Sequence, residues 1–98
     1  MDRKKLLQEF FAEARKRELL GLATYGPFEP TKDTRILSIE MQEEAVDVLN
    51  YSRFLLRKHP HLREKTEGIK RLTFALYYEL RKLEKVELEL TRNQGGGN

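Results

Sequence analysis

The chain has no cysteine and no tryptophan, only three prolines, and no long apolar run. Without cysteine there is no disulfide, no thiolate metal ligand and no thiol nucleophile. A membrane helix needs roughly 18 consecutive apolar residues, and charged residues interrupt every apolar stretch well short of that. Near the start, Leu6-Leu7 gives way at once to Gln8-Glu9, too early for the apolar core of a signal peptide. These lacks predict a cytoplasmic protein with no membrane partner. Neither sign of charge dominates. The 19 Lys and Arg and 16 Asp and Glu leave a net charge of +3, and the two signs are interspersed. Mixed charge is the pattern of solvated helix faces, so nucleic acid is not the expected partner. A G-x-x-x-x-G-K phosphate loop and a Ser-His-Asp arrangement are also missing from the sequence.

What remains is mostly helix-forming sequence. At 98 residues the chain reads as one helical domain over 1–92 followed by a disordered Gly-rich tail over 93–98. Leu7, Phe10, Phe11 and Ala14 form a helical stripe in a first helix over about 2–22. Gly26, Pro27 and Pro30 impose a loop over 24–32. A second helix starts near Asp33, a good N-cap residue, and runs to 58, where His59-Pro60-His61 ends it. A His-x-His pair beside proline more often terminates a helix than binds a metal. The third helix runs over 62–92. In it Ile69, Leu72, Leu76, Leu83, Val86 and Leu90 recur as a heptad seam, with Glu79 in the one apolar place left open. The alternation over 86–90 could form a strand, but the strong helix formers before it favour helix. Phe74, Tyr77 and Tyr78 beside the seam read as core or interface. The fold class is therefore all-α: three main helices in a bundle. A domain this small buries little surface, so oligomerisation is expected to complete it.

The informative segment is Glu40-Met41-Gln42-Glu43-Glu44-Ala45-Val46-Asp47. At about 100° per residue, Glu40, Glu43, Glu44 and Asp47 project within an arc of roughly 100° over two turns. Such carboxylates repel by a few tenths of a kcal/mol per pair. No Lys or Arg lies between Ile36 and Ser52 to offset this. Water, basic residues of another helix or a bound cation must do so. The same arc continues into Tyr51 and Phe54, which favours a cleft or partner helix over open solvent. Several oxygen ligands without His or Cys suit Mg2+ or Mn2+ better than zinc.

Tyr25-Gly26-Pro27-Phe28, then Asp33, then Glu40 to Tyr51 resembles short members of the MazG-like, all-α nucleoside triphosphate pyrophosphohydrolase superfamily. The resemblance covers roughly residues 18–58. Its most specific part is Glu43-Glu44-Ala45-Val46-Asp47 before an apolar run, similar to the family's E-x-x-D metal motif, which Glu44 and Asp47 match. The family's preceding-helix E-x-x-E motif is matched in spacing only by Glu40 and Glu43, on the same helix. The first helix offers Glu9 and Glu13, one residue too far apart. The resemblance implies hydrolysis of a nucleoside triphosphate to monophosphate and diphosphate, in a dimer or tetramer. It implies Mg2+ or Mn2+ on Glu40, Glu43, Glu44 and Asp47, with Glu43 and Glu44 as catalytic carboxylates. Lys32, Lys70 and Arg71 would hold the phosphates, and Tyr25 or Phe28 would contact the base. A non-catalytic relative, a helical oligomeric interaction module, and a small basic nucleic-acid-binding protein are the competing expectations.

Overall fold

The computed structural model describes residues 1–96. The chain is all-α, and among the described residues there is no strand. Helix α1 spans Arg3–Tyr25, α2 spans Leu37–Lys58 and α3 spans Arg63–Gly96. A single 3-10 turn, Pro60–Leu62, joins α2 to α3. No described helix is long and apolar enough to cross a membrane. The alternating stretch over 86–90 is helical, and so is the Gly-rich end as far as Gly96. The remainder of the expected tail, residues 97–98, lies outside the described residues.

The chain divides into two compact units, Met1–Thr34 and a second that begins at Arg35. In the first, the Asp2 carboxylate accepts hydrogen bonds from the Lys4 and Lys5 amides at 3.0 and 3.3 Å and caps α1. Gly26 closes the helix with φ at 81°, a conformation that favours glycine, and its N–H donates to Leu22 O. The helix therefore reaches three residues past its expected end at 22. Beyond Pro30 the chain turns, with the Lys32 and Asp33 amides both bonded to Glu29 O at 3.0 Å.

That turn explains a correction. Helix α2 starts at Leu37, not near Asp33, and its N-cap residue Ile36 offers no side-chain bond. The cap comes instead from far along the sequence. Glu87 on α3 accepts from the Leu37 amide (2.8 Å) and the Ser38 amide (2.7 Å), one through each carboxylate oxygen. A carboxylate at a helix N-terminus is favoured both by these donors and by the helix dipole. The Ser38 side chain first, then its amide, hold the Glu87 carboxyl below its usual range; burial pushes the other way, and the Leu37 amide adds to the lowering. The Ser38 hydroxyl oxygen is buried and makes no well-formed hydrogen bond, so the two amides supply the directional part of the contact.

Glu87→Ala should therefore lower stability by about 1 kcal/mol, as losing a helix cap typically does. Because the folded-state pKa is depressed, this stabilisation is full above the unfolded glutamate pKa and is lost as pH falls through the folded value. Chemical denaturation at neutral and at acidic pH checks it: the wild-type advantage over the variant should shrink on the acid side. An advantage that grew on acidification would contradict the cap.

Helices α2 and α3 pack antiparallel through a narrow, mostly small and polar stripe. On α2 this stripe is Ser38, Gln42, Ala45, Leu49, Ser52 and Leu56. On α3 it is Thr66, Thr73, Tyr77, Leu80, Glu84 and Glu87. Both repeat at spacings of three, four and seven, the period of antiparallel helix pairs. Gln42 Nε2 ties the two together, donating to Glu84 Oε1 at 2.8 Å and to Leu80 O at 3.4 Å. Among the described residues only Ala45 and Leu80 are fully buried apolar side chains.

The apolar seam read from the sequence is thus not the one that meets α2. Ile69, Leu72, Leu76, Leu83, Val86 and Leu90 are all exposed, Leu72 by 70%. A matching seam of Leu37, Met41, Val48, Tyr51 and Leu55 is exposed along α2. Most positions of either seam lie one residue before the packing stripe of their helix. In an antiparallel pair, equal rotations of about 100° turn both seams to the same face. The stripe that packs does not stand out in the sequence because most of its positions are small or polar, with Leu49, Leu56, Tyr77 and Leu80 as its large side chains.

Candidate functional site

The face of the α2–α3 pair opposite these seams carries two adjoining pockets. The smaller, a cavity of about 290 Å³, is lined by Ile39, Gln42, Glu43, Val46, Asp47 and Tyr77. The larger, about 690 Å³, is lined by Ala45, Val46 and Leu49 from α2 and by Glu67, Lys70, Arg71, Thr73, Phe74 and Tyr77 from α3. Val46 and Tyr77 belong to both. An acidic pocket and a mostly apolar, aromatic pocket, with Glu67, Lys70 and Arg71 on its wall, are thereby joined across one tyrosine. The larger pocket falls within the size range of small-molecule sites.

Each part follows from local sequence. Glu43 and Asp47 are one turn apart on α2, so both reach the same side of the helix. Lys70, Phe74 and Tyr77 are spaced by four and three on α3 and share its face toward the groove. Tyr77 is half-buried, and its hydroxyl accepts a hydrogen bond from Arg81 Nη1 at 3.2 Å. The Arg81 guanidinium also stands 6.0 Å from the Tyr77 ring centroid and 3.9 Å from Glu84. The Tyr77 hydrogen bond, with the field of Tyr77 and Glu84, pushes the Arg81 pKa further up. Arg81 is a fixed positive charge beside the tyrosine that the two pockets share.

The predicted acidic quartet is divided by the fold. All four side chains are exposed. Glu43 and Asp47 line the smaller pocket. Glu44 lies on the side that turns toward the apolar seams, and Glu40 on the back of α2. Among the described residues no ion pair or side-chain hydrogen bond engages any of the four. Basic residues of α3 therefore do not offset their repulsion, one of the three expected remedies. No group of three His, Cys, Asp or Glu among the described residues is placed to hold a metal ion. His59 and His61 meet ring to ring at 5.8 Å.

The substrate residues divide as well. Lys70 and Arg71 line the larger pocket. Tyr25, Phe28 and Lys32 belong to the first unit. There Tyr25 is 89% exposed, Phe28 is exposed, and Lys32 pairs with Glu29 at 3.0 Å. Sequence reasoning missed the roles of Val46, Phe74, Tyr77 and Arg81. The available signal was Phe74 and Tyr77 one turn beyond Lys70-Arg71 on the same helix. Its meaning depended on which part of α2 lies opposite.

The architecture defines an antiparallel helix-pair protein with a small acidic pocket beside a larger apolar one. Comparison of the chain with family models, with curated proteins and with solved structures finds no match.

Proposed function

We propose that the chain is a Mg2+-dependent nucleoside triphosphate pyrophosphohydrolase of MazG-like type. One observation supports this reading: the acidic pocket with Glu43 and Asp47 adjoins, through Val46 and Tyr77, a larger apolar and aromatic pocket with Phe74 that has Lys70 and Arg71, beside Glu67, on its wall. A nucleoside triphosphate needs this combination, an apolar or aromatic surface for its base and opposite charges to manage its phosphates.

The donor set fits the metal. Mg2+ binds oxygen ligands, keeps several waters, and is commonly held by one or two carboxylates together with substrate phosphates. Glu43 and Asp47 supply two such carboxylates without a further protein ligand, with Glu44 and Glu40 following along the helix. The bound ion would neutralise charge developing on the phosphates and lower the pKa of a coordinated water. The chain's own residues do the rest. Lys70 and Arg71 attract the polyphosphate and orient it, Phe74 and Tyr77 provide the flat surface for a base, and the Glu43 carboxylate accepts a proton from the attacking water. Water adds to the α-phosphorus, the bond from that phosphorus to the α,β-bridging oxygen breaks, and diphosphate leaves.

Incubating the protein with a panel of ribo- and deoxyribonucleoside triphosphates and Mg2+ tests the reaction. Monophosphate and diphosphate should appear in equal amounts. Replacing both Lys70 and Arg71 with alanine should raise KM by roughly 100-fold or more, since each lost contact to a charged group is worth about 1.5–3 kcal/mol. Release of orthophosphate instead, or no turnover of any nucleotide, would sink the proposal. The second reading, a helical interaction module without catalysis, is favoured by the exposed apolar face and would then stand ahead.

A further inference from the structure

We infer that the substrate of this groove is the 5′-triphosphate end of a single-stranded nucleic acid, the strand leaving the aromatic pocket over Arg53 and Arg57 toward the turn at Pro60–Leu62. The inference rests on the pyrophosphohydrolase reading and names its substrate class.

Three observations carry it. The first is charge. The sequence intersperses the two signs, but the antiparallel pair sorts them by end. Arg53, Arg57 and Lys58 end α2, and Arg63, Lys65, Lys70 and Arg71 open α3; between Asn50 and Leu72 only Glu64 and Glu67 oppose them. At the open end the acidic quartet of α2 stands with Glu79, Glu84, Glu87 and Glu89 of α3. Among the described residues no carboxylate pairs with Arg53, Arg57, Lys58, Arg63 or Lys65. Arg57 and Lys58 suit the C-terminal dipole of α2. Arg63 and Lys65 sit in the first turn of α3, where the dipole disfavours cations, so helix capping does not explain them. A free nucleoside triphosphate occupies Lys70 and Arg71 and leaves these five cations unused.

The second observation is placement. Arg53 and Arg57 follow Ser52 and Leu56 of the packing stripe by one residue. Glu43 and Val46 follow Gln42 and Ala45 by the same step, and both line a pocket. The rotation per residue is shared, so the two arginines continue the groove wall beyond Leu49. From Val46 to Arg57 is roughly 16 Å along the helix, the length of a few linked nucleotides. The Arg57 guanidinium stands 5.8 Å from the Phe54 ring centroid, and Phe54 meets Tyr51 at 6.2 Å. Both rings are exposed, and bases stack on such aromatic and guanidinium surfaces. The third observation is direction. In a strand, the ribose that bears the triphosphate also bears a phosphodiester. At the acidic end of the groove Glu43 and Asp47 repel that second anion; at the other end Arg53 and Arg57 attract it. The terminal base must be unpaired to lie against Phe74, so the strand is single. Water adds to the α-phosphorus, the bond to the α,β-bridging oxygen breaks, diphosphate leaves, and the strand keeps a 5′-monophosphate.

The test compares GTP with a short oligoribonucleotide whose first residue is guanosine 5′-triphosphate. The kcat/KM for diphosphate release should be at least about 10-fold higher from the strand, because its phosphates add contacts that GTP lacks. Binding is read separately, without Mg2+, by fluorescence anisotropy of the 3′-labelled strand in competition with GTP. The advantage of the strand should shrink about 7-fold between about 50 and about 200 mM salt, as two extra phosphate contacts on a single strand require. Arg53→Gln combined with Arg57→Gln should remove the advantage and its salt dependence. Both sites are exposed and glutamine keeps the helix propensity, so the fold is retained, which circular dichroism verifies. Lys82→Gln, a cation of the open end, should leave the advantage unchanged. Diphosphate released from GTP at least as fast as from the strand overturns the inference and leaves the reaction standing; no diphosphate from either overturns both. A strand advantage that survives the double arginine substitution, or a blunt duplex hydrolysed as fast as the single strand, also overturns the inference alone.

Discussion

Leu80→Ala should destabilise the protein by about 2–5 kcal/mol, the range for truncating a buried leucine where the surroundings relax only in part. Leu80 is 4% exposed and is the one large side chain among the two buried apolar residues. Its neighbours on the packing stripe are polar and tied by specific bonds, such as Gln42 to Glu84, so they are poorly suited to collapse into the space. For a domain of this size each kcal/mol shifts the melting temperature by about 4–8 °C, which puts the expected loss on the order of 10 °C or more. Thermal unfolding followed by circular dichroism checks it. Leu72→Ala is no counterpart at this site, because Leu72 is 70% exposed and does not pack on α2. A Leu80→Ala variant within 2 °C of wild type would mean that the α2–α3 stripe is not the core.

The second large effect concerns the acidic stripe. Adding Mg2+ or Mn2+ to the wild type should raise its melting temperature, because a ligand that binds only the folded state stabilises it by mass action, by about 2.7 kcal/mol at 100 times its dissociation constant. Asp47→Asn should abolish that response and reduce nucleotide turnover by about 10²- to 10³-fold, as removing one charge-stabilising group at a reacting centre does. Without metal, the same substitution should raise stability by a few tenths of a kcal/mol, since it removes repulsion from Glu43 and Glu44. No basic side chain in the described chain is lost as its partner. A thermal-shift comparison of the two proteins, with and without Mg2+, separates the readings. Wild-type melting that ignores metal, together with no diphosphate release, leaves the interaction module. A fall in stability without metal would reveal a basic partner from another subunit.

Much of the local structure was legible. The chain break over Gly26 to Pro30 and the turn at Pro60 each rest on the stereochemistry of one or two residues, so short-range reasoning reached them. The start of α2 did not yield to the same reasoning. Asp33 has the right side chain for a cap, but the Glu29 carbonyl takes up its amide in a turn, and the cap that forms is Glu87. Nothing within four residues of Leu37 signals that contact. The seam on α3 has the period that the sequence predicts, and it does not meet α2. Period identifies a stripe; it does not say whether α2 or another molecule covers it.

The candidate site divides the same way. The common side of Glu40, Glu43, Glu44 and Asp47 follows from helical rotation alone. Which of them enter a pocket does not. Glu43 and Asp47 do so because Tyr77 of α3 lies across from Val46. Lys70 and Arg71 were picked as basic residues, and the helix pairing gave them Phe74 and Tyr77 as neighbours on a shared wall.

By itself the sequence determined that this protein is helical, where its helices break, and that one helix carries a continuous acidic stripe. Those properties depend on backbone stereochemistry and on a rotation per residue that any helix shares. Only the tertiary structure decided that a small, polar stripe packs inside while the larger apolar seams face outward. It also decided that a glutamate some 50 residues away caps α2, and that an acidic and an apolar pocket meet at Tyr77. These follow from the register of two antiparallel helices, set by bonds such as Gln42 to Glu84 between residues far apart in the chain.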